Sequence, residues 1–323
     1  MAVRRLIPVA LVVAGFAIFL AGCGGSGGPD APPAAEPQAT LPPAPVVEEN
    51  LLGNVLAGEH RSTDNRARDV YRHPQETLEF FGIRPDMAVV EIWPGAGWYT
   101  EILAPYLREK GRYIAAHWDP DTKDEYVQRN LQAFRDKLAA HPELFDRVEV
   151  TVLSPPAKLD FAAPDSVDLI VSFRNLHNWM DGGQSAAVFA AMYRALKPGG
   201  VLGMVEHRAA ADQPQDPKAA SGYVRQDVAV EFARQAGFVL EAESEINANP
   251  RDTKDYAEGV WTLPPTLTLG DKDREKYLAI GESDRFTLRF RKPGSSAGVG
   301  EGAPPAMEDE PGAEVGETVA PAP

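Results

Sequence analysis

The sequence predicts an α/β protein with an open, mostly parallel β-sheet and helices on both faces. Apolar runs of strand length alternate with helical patterns through the middle of the chain, which is typical of parallel sheets covered by helices. In addition, residues 89–100 pass from an apolar run through a Gly-x-Gly loop into a helical pattern. Strand, glycine loop and helix in this order build a pocket for a nucleotide-sized ligand.

The candidate strands follow one another in a regular order. They are residues 87–92, 112–117, 148–153, 167–173, 201–206, 238–243 and 285–291. The clearest helical pattern precedes the fifth strand, where one face carries Val188, Phe189, Met192, Ala195 and Leu196. The Lys-Pro-Gly-Gly sequence of residues 197–200 is expected to end that helix and turn the chain into the strand. The ligand crevice is expected at the carboxyl ends of the strands, beside the first one.

The first residues have the pattern of a bacterial lipoprotein signal peptide. Arg4 and Arg5 precede an uncharged run over residues 6–20, which is short for a membrane-spanning helix and has the length of a signal-peptide core. Leu-Ala-Gly-Cys at residues 20–23 resembles the lipobox, whose cysteine is lipidated and becomes the new N-terminus. We therefore predict a signal peptide at residues 1–22 and a lipid anchor at Cys23. A free thiol after an ordinary signal anchor is the alternative.

The lipobox predicts a location as well as an anchor. A lipid-anchored domain would lie in the cell envelope and face the periplasm. In lipoproteins an aspartate directly after the cysteine tends to retain the protein at the inner membrane. Gly24 stands at this position, which favours the outer membrane.

Composition divides the rest of the chain. Gly, Pro and Ala dominate residues 23–50 and 294–323, and the second stretch has six acids and no basic residue; both are predicted to be disordered. One large domain is predicted over residues 51–293.

The formal net charge of −15 disfavours nucleic acid as a partner. Because Cys23 is the only cysteine, a zinc site built on cysteines is excluded, and we predict no metal.

Three segments resemble the landmarks of class I S-adenosylmethionine-dependent methyltransferases. They are Glu-Ile-Trp-Pro-Gly-Ala-Gly at residues 91–97, Asp-Ser-Val-Asp-Leu-Ile-Val at 165–171 and Leu-Lys-Pro-Gly-Gly at 196–200. The Phe-Arg-Asn-x-His-Asn-Trp segment at 173–179 is similar to that of poorly characterised bacterial methyltransferase-like proteins. The resemblance implies a Rossmann-like class I methyltransferase fold. That fold has strand order 3-2-1-4-5-7-6 with the seventh strand antiparallel, and S-adenosylmethionine is its cofactor.

The resemblance also implies cofactor-binding residues by position. Glu91, at the end of the first strand, is expected to help hold the glycine loop and the methionine amino group. Gly95 and Gly97 are expected to give the backbone room for the methionine and ribose portion. Trp93 and Ala96 belong to the same loop and complete its predicted binding set.

The other cofactor residues follow the second and third strands. Asp119 is the candidate acceptor for the two ribose hydroxyls, because a carboxylate can accept from both; a turn residue before proline is the alternative. Two positions depart from the family pattern. Trp93 replaces the usual first glycine, and Ser154 or Pro155 stands where an acid often takes the adenine amino group. Adenine is then held by backbone and hydroxyl groups, Ser154 included, or the site has drifted.

His177 and His207 are the candidate catalytic residues. Methyl transfer from a sulfonium is an in-line displacement, so positioning supplies most of the help and a base is needed only for a protonated nucleophile. Both histidines follow strands that end at the expected crevice, and a histidine titrating near neutrality could serve as that base. The alternative is a loop histidine bonded to backbone. Arg174 or Arg208 could orient an anionic substrate, or be an ordinary surface arginine.

The predicted function is methyl transfer from S-adenosylmethionine to a small molecule or an envelope component. The fourth strand is not followed by Asn-Pro-Pro-Tyr, which disfavours nucleobase and amide-nitrogen substrates. Residues 209–223 and 246–281 are expected to cover the substrate. The competing hypothesis is a non-catalytic envelope lipoprotein that uses a degenerate methyltransferase fold for binding. The predicted location conflicts with the predicted cofactor, since S-adenosylmethionine is made and kept in the cytoplasm. Either the cofactor reaches the periplasm, or the protein is retained on the cytoplasmic face, or the fold binds something else.

Overall fold

The computed structural model describes residues 50–294. The predicted signal peptide at 1–22, the lipidation site Cys23 and, but for one residue each, the linker at 23–50 and the tail at 294–323 lie outside the described residues. Within residues 50–294 no helix has the length and apolar character needed to cross a membrane.

Helices and strands alternate as the sequence predicts. The first part contains α1 (Leu51–Leu56), α2 (Thr63–Arg66), α3 (Asp69–Arg72), α4 (Pro74–Phe81), β1 (Ala88–Ile92), α5 (Thr100–Leu107), β2 (Arg112–His117), α6 (Glu125–Ala140), α7 (Pro142–Phe145) and β3 (Glu149–Val152). The second contains β4 (Val167–Phe173), α8 (Leu176–Asp181), α9 (Ser185–Ala195), β5 (Leu196–His207), α10 (Gln226–Gln235), β6 (Val239–Ser244), α11 (Arg274–Ile280) and β7 (Arg285–Arg291).

The strands form one seven-stranded sheet in the order β3-β2-β1-β4-β5-β7-β6. Strands β1 to β5 are parallel, and β7 runs antiparallel to both β5 and β6. This confirms the predicted Rossmann-like class I methyltransferase fold, including the strand order and the antiparallel seventh strand.

One local prediction is wrong. Residues 197–200 were expected to form a turn before the fifth strand, but β5 already begins at Leu196, which pairs with Val167. The register then shifts before Leu169, which pairs with Val201. The Lys-Pro-Gly-Gly sequence is therefore an irregularity within the strand, and Gly199 takes a φ of +80° there, which a glycine adopts without strain.

Apolar side chains pack on both faces of the sheet. Val90 belongs to one cluster, with residues of α8, α9 and α10, and Val89 to the other, with residues of α1, α4 and α5. Successive residues of a strand point to opposite faces, so a strand covered on both faces reads as a continuous apolar run. This is why β1 and β4 are so clear in the sequence.

The topology determines which side chains meet at the carboxyl edge of the sheet. β1, β4 and β5 all end at this edge because they are parallel. β7 begins there because it is antiparallel, and Arg285 at its start pairs with His207 at the end of β5. Residues at the start of β7 therefore belong with those that end the parallel strands.

Candidate functional site

A crevice of about 1180 Å³ opens at this edge. The glycine loop after β1, the chain from β4 into α8, and residues 260–266 all contribute to its wall. Residues 260–266 belong to the segment at 246–281 that is expected to cover the substrate, whereas residues 209–223 are not among those that line the crevice. The sequence did not predict the contribution of the N-terminal segment, in which His60, Asn65, Arg68 and Arg72 also line the crevice.

The glycine loop has a left-handed backbone at three positions. Trp93, Gly95 and Gly97 have φ values of +46°, +60° and +80°. Trp93 stands where the family usually has glycine, and it still adopts the backbone conformation that favours glycine. Its indole Nε1–H donates to the carbonyl oxygen of Leu153 at 2.9 Å, and its ring packs between Trp118 and Trp179. These contacts fix the loop in spite of the bulkier residue.

The two glycines have different surroundings. A Cβ at Gly95 would meet no atom within 4 Å, and Gly95 and Ala96 both line the crevice. A side chain at Gly95 would therefore project into open space that a ligand can use. A Cβ at Gly97 would instead lie 3.0 Å from Lys137 and 3.1 Å from Phe134, so Gly97 permits the close packing of α6 on the loop.

His117 is a site residue that the sequence analysis missed. It ends β2 and is buried; its Nδ1 accepts from the backbone N–H of Trp118 at 2.8 Å. The proton is therefore on Nε2, which donates to the carbonyl oxygen of Gly95 at 3.0 Å. Burial lowers the pKa of His117 to about 4, so the neutral ring holds the glycine loop at physiological pH.

Glu91 lies at the end of β1, buried and facing the crevice. Its Oε2 accepts from the hydroxyl of Tyr113 at 2.5 Å and from that of Thr100 at 3.4 Å. Burial raises the pKa of Glu91 to about 7, against the opposing effect of these two hydrogen bonds. Its Oε1 has no hydrogen-bond partner among residues 50–294, so this oxygen is free to accept from a ligand.

Asp119 and Ser154 lie beside the crevice rather than in its wall. The Asp119 carboxylate is 2.6 Å from the Lys158 ammonium and accepts from the backbone N–H of Asp121 at 3.1 Å. Ser154 forms a short backbone bridge with Lys158. The ribose role of Asp119 and the adenine role of Ser154 stay predictions.

The first three residues of the 173–179 segment have defined contacts. The Phe173 ring stacks on Tyr99 at 3.5 Å between centroids. The Asn175 amide donates to the carbonyl oxygen of Ile92 at 2.8 Å, which joins the end of β4 to the end of β1. Arg174 adopts a φ of +62° and points toward the buried Glu282, 3.8 Å away. Arg208, the other predicted arginine, lies outside the crevice wall.

His177 is oriented by Glu206. The Oε1 of Glu206 lies 3.1 Å from His177 Nδ1, and the same carboxylate accepts from the backbone N–H groups of Leu176, at 2.6 Å, and His207, at 2.8 Å. An ionised carboxylate accepts only, so Nδ1 carries the proton and Nε2 of the neutral ring is unprotonated. His177 lines the crevice, and its Nε2 has no hydrogen-bond partner among the described residues. This is the arrangement of a general base held by a carboxylate.

His207 has a different environment. Its ring centroid is 5.5 Å from that of His177, and its Nδ1 is 2.5 Å from the hydroxyl oxygen of Ser283. Burial lowers the pKa of His207 well below its usual value, and the neighbouring His177, Arg285 and Arg174 act in the same direction. His207 is therefore neutral at physiological pH, and it lies next to His177 at the same end of the crevice.

His177, Glu206 and His207 are also close enough to hold a metal ion, since one ligand atom of each lies within 4.8 Å of the others. Two histidines and a carboxylate are a common metal-binding set. However, both oxygens of Glu206 already accept backbone N–H groups. We therefore interpret the three residues as a hydrogen-bonded network.

The comparisons with known proteins agree with the fold. The sequence model of a family described as "Methyltransferase domain" matches residues 90–204, which is less than half of the chain and runs from β1 into β5. Among proteins with curated descriptions, none matches the sequence.

Several solved structures are similar to this chain at low sequence identity. A SAM dependent methyltransferase from Aquifex aeolicus has a TM-score of 0.48 and 16% identity, over 75% of this chain and 98% of that one. The [4+2]-cyclase SpnF has a TM-score of 0.49 and 17% identity, over 76% and 93%. Phosphoethanolamine N-methyltransferase 2 of Haemonchus contortus, in complex with S-adenosyl-L-methionine, has a TM-score of 0.47 and 17% identity, over 69% and 53%.

Proposed function

We propose that the protein is an S-adenosylmethionine-dependent methyltransferase that acts on a small molecule or an envelope component. The observation that carries the proposal is the match of residues 90–204 to a methyltransferase domain, within a chain whose strand order is that of the class I fold. The glycine loop and His177 both lie in the matched stretch and open onto one crevice.

The residues around the glycine loop suit the cofactor. S-adenosylmethionine supplies an activated methyl group on a sulfonium, a cationic amino group and an adenosine. The free Oε1 of Glu91 can accept from an ammonium group, and such charge-assisted hydrogen bonds are strong. The open space beside Gly95 lets the backbone approach the ligand closely. His117 and Asn175 hold the two ends of this surface in place.

His177 can act on the methyl acceptor. Its unprotonated Nε2 can take a proton from a hydroxyl, thiol or ammonium nucleophile, while Glu206 stabilises the imidazolium that forms. General-base assistance of this kind contributes about 10²- to 10⁴-fold to a rate. His207, neutral and adjacent, can donate or accept one hydrogen bond but does not compete for the proton.

Calorimetry of the full chain with S-adenosylmethionine and S-adenosylhomocysteine tests the proposal. We expect micromolar binding, about −8 kcal/mol. Gly95→Ala should weaken it at least tenfold, because a methyl group enters the crevice and the φ of +60° becomes strained. Gly199→Ala is the matched control, since Gly199 has a φ of +80° and open space around it but lies outside the crevice wall. Absence of binding at millimolar concentration would overturn the proposal.

We also propose that Cys23 is lipidated and holds the domain in the cell envelope, facing the periplasm and anchored at the outer membrane. The support is sequence alone: two arginines, an apolar core of signal-peptide length and the Leu-Ala-Gly-Cys sequence ending at Cys23. An enzyme at this location needs S-adenosylmethionine outside the cytoplasm. Because it faces the periplasm, its acceptor is expected among envelope components or periplasmic small molecules.

A further inference from the structure

Four arginines converge on a single buried carboxylate at the His177 end of the crevice. Arg68 donates from Nε to one oxygen of Glu282 at 2.7 Å, and Arg72 donates from Nε to the other at 3.2 Å. Arg285 also donates to Glu282, and Arg174 lies 3.8 Å away. We call these four arginines the arginine cluster. All four line the crevice.

The charges of the arginine cluster are not balanced within the described residues. Four guanidinium groups face one carboxylate at Glu282, whose side chain is only 1% exposed. The nearby acids are engaged elsewhere: Asp69 pairs with Arg61, and Asp284 pairs with Arg208 and Lys254. Among the other acids in the crevice wall, Glu101 pairs with Lys137. Burial raises the pKa of Glu91 to about 7, so this carboxyl offsets at most one further charge.

The unbalanced charge is buried. The side chains of Arg72 and Arg285 are 4% and 3% exposed. The Nη2 of Arg68 and the Nε of Arg285 are buried donors without an acceptor among residues 50–294. Burial and the neighbouring Arg174 lower the pKa of Arg72 well below its usual value, and burial with the neighbouring Arg285 lowers that of Arg174 to about 10. Buried, unpaired donors and charges are costly, and an anion in the crevice would offset that cost.

The chemistry of the cluster selects the kind of anion. Guanidinium groups bind carboxylates and phosphates in a planar, bidentate manner, and several converge here on one volume. A cation–π contact also positions Arg72, since its guanidinium lies 4.6 Å from the centroid of the Trp98 ring. Held donors lose little entropy on binding a ligand. The cluster is thus built for a carboxylate or phosphate group.

The position of the cluster relates it to the methyl acceptor. Arg285 begins β7 and pairs in register with His207, whose ring is next to that of His177. In the strand order, β7 lies three places from β1 and on the side away from β2. The cluster therefore adjoins the candidate base, while Arg72 and Arg174 are also near Glu91 and the glycine loop.

We propose that the arginine cluster binds an anionic group, a carboxylate or a phosphate, of the methyl acceptor. The proposal rests on the function proposed above and names the substrate class as anionic. The other source of the same chemistry is the methionine carboxylate of the cofactor. One carboxylate would leave further positive charge unbalanced, so the cluster has capacity for an acceptor anion as well.

Titration of the full chain with inorganic phosphate tests the proposal. Calorimetry at constant ionic strength, with chloride as the balancing anion, should show millimolar or tighter binding both with and without saturating S-adenosylhomocysteine. Arg174→Gln and Arg68→Gln, whose side chains are each 24% exposed, should each weaken phosphate binding at least tenfold. Arg84→Gln is the matched control, because Arg84 is 60% exposed and pairs with Asp86. Thermal melts of each variant check that it is folded.

The outcomes separate the two proposals and the two sources of the anion. No phosphate binding, or binding that neither variant changes, would overturn the anion site. Competition between phosphate and S-adenosylhomocysteine would identify the cofactor carboxylate as the occupant and overturn the acceptor role. The same conclusion would follow if Arg174→Gln weakened the binding of S-adenosylhomocysteine but not that of 5′-methylthioadenosine, which has no carboxylate. Phosphate binding without any S-adenosylhomocysteine binding would support the anion site but overturn the methyltransferase function.

Discussion

The ring of His117 joins the end of β2 to the glycine loop, with its Nε2 3.0 Å from the carbonyl oxygen of Gly95. The Trp118 N–H fixes the tautomer, and the Phe134 ring packs edge-on at 4.8 Å between centroids. A neutral histidine therefore connects the second strand to the surface on which we place the cofactor.

This contact predicts that acid destabilises the fold through His117. Its pKa is about 4 when folded and about 6.5 when unfolded, so the unfolded chain binds more protons between these values. The free energy of unfolding should fall by about 2 kcal/mol between pH 7.5 and pH 5 from this residue. Denaturant melts of the wild type and His117→Gln at the two pH values measure it. The half-buried His141 gives the control, His141→Gln, and an equal pH dependence in all three proteins would contradict the prediction.

Glu91 predicts that acid also weakens cofactor binding. Its pKa is about 7, and the ionised form is needed to accept from an ammonium group. S-adenosylhomocysteine should therefore bind about tenfold more weakly at pH 6 than at pH 8, with release of about half a proton at pH 7. Calorimetry in buffers of different ionisation enthalpy measures both quantities.

The control for this prediction is Glu91→Gln, which resembles the protonated form. It should bind weakly at both pH values and release no proton. Because the folded pKa lies above the ordinary value of 4.5, ionisation of Glu91 destabilises the fold as pH rises toward 7. Glu91→Gln should therefore be more stable than the wild type at pH 8 and similar to it near pH 4. Steep pH dependence of binding in this variant would assign the effect to another group.

Asp119 distinguishes a cofactor residue from a turn residue. Asp119→Asn should weaken S-adenosylhomocysteine about tenfold if its carboxylate leaves Lys158 to accept the ribose hydroxyls. Lys158→Gln is the matched control, because it breaks the same ion pair and keeps the carboxylate. Equal affinity for S-adenosylhomocysteine in the wild type and Asp119→Asn would show that Asp119 is a turn residue, whose role is limited to its contacts with Lys158 and Asp121.

Lipidation of Cys23 predicts membrane fractionation. Cys23→Ser should leave the precursor unprocessed or release the protein to the soluble fraction, and only the wild type should take up a labelled fatty acid. Gly24→Asp tests the sorting step, since it should move the protein toward the inner-membrane fraction. Equal fractionation of wild type and Cys23→Ser, without label in either, would contradict the anchor.

The fold could be predicted from the sequence because its signals are local. Each of the seven strands lies within a few residues of a predicted one. The signal is strongest for β1 and β4, because strands buried on both faces are continuous apolar runs. His177 and Glu91 could be located because Glu91 lies at the end of such a strand and His177 comes shortly after one. Asn175 could be seen as part of an unusual segment, but its bond to Ile92 joins two strands that are far apart in the chain.

The rest of the site depends on contacts between distant segments. Arg68 and Arg72 are in short N-terminal helices and Glu282 precedes the last strand, and their spacing in the sequence carries no periodic signal. The antiparallel β7 brings Arg285 to the same edge as His207. From the sequence alone, single charged residues in such segments are interpreted as surface residues, because only the topology shows that they lie together. His117 was missed for a similar reason, because it forms the last residue of an apolar run.

Glu206 and His177 give the last prediction, which concerns the base. Because Glu206 accepts from Nδ1 of His177, the neutral ring should carry its proton on Nδ1, and nitrogen NMR of the labelled chain at pH 8 should show an unprotonated Nε2. His177→Asn keeps a donor near Glu206 and removes Nε2, whereas His177→Gln places an amide near the Nε2 position. Both should bind S-adenosylhomocysteine like the wild type. Transfer of a labelled methyl group to an envelope extract should fall at least about 100-fold in both. Wild-type transfer in either variant would show that the acceptor needs no base, and a protonated Nε2 in the wild type would contradict the role of Glu206.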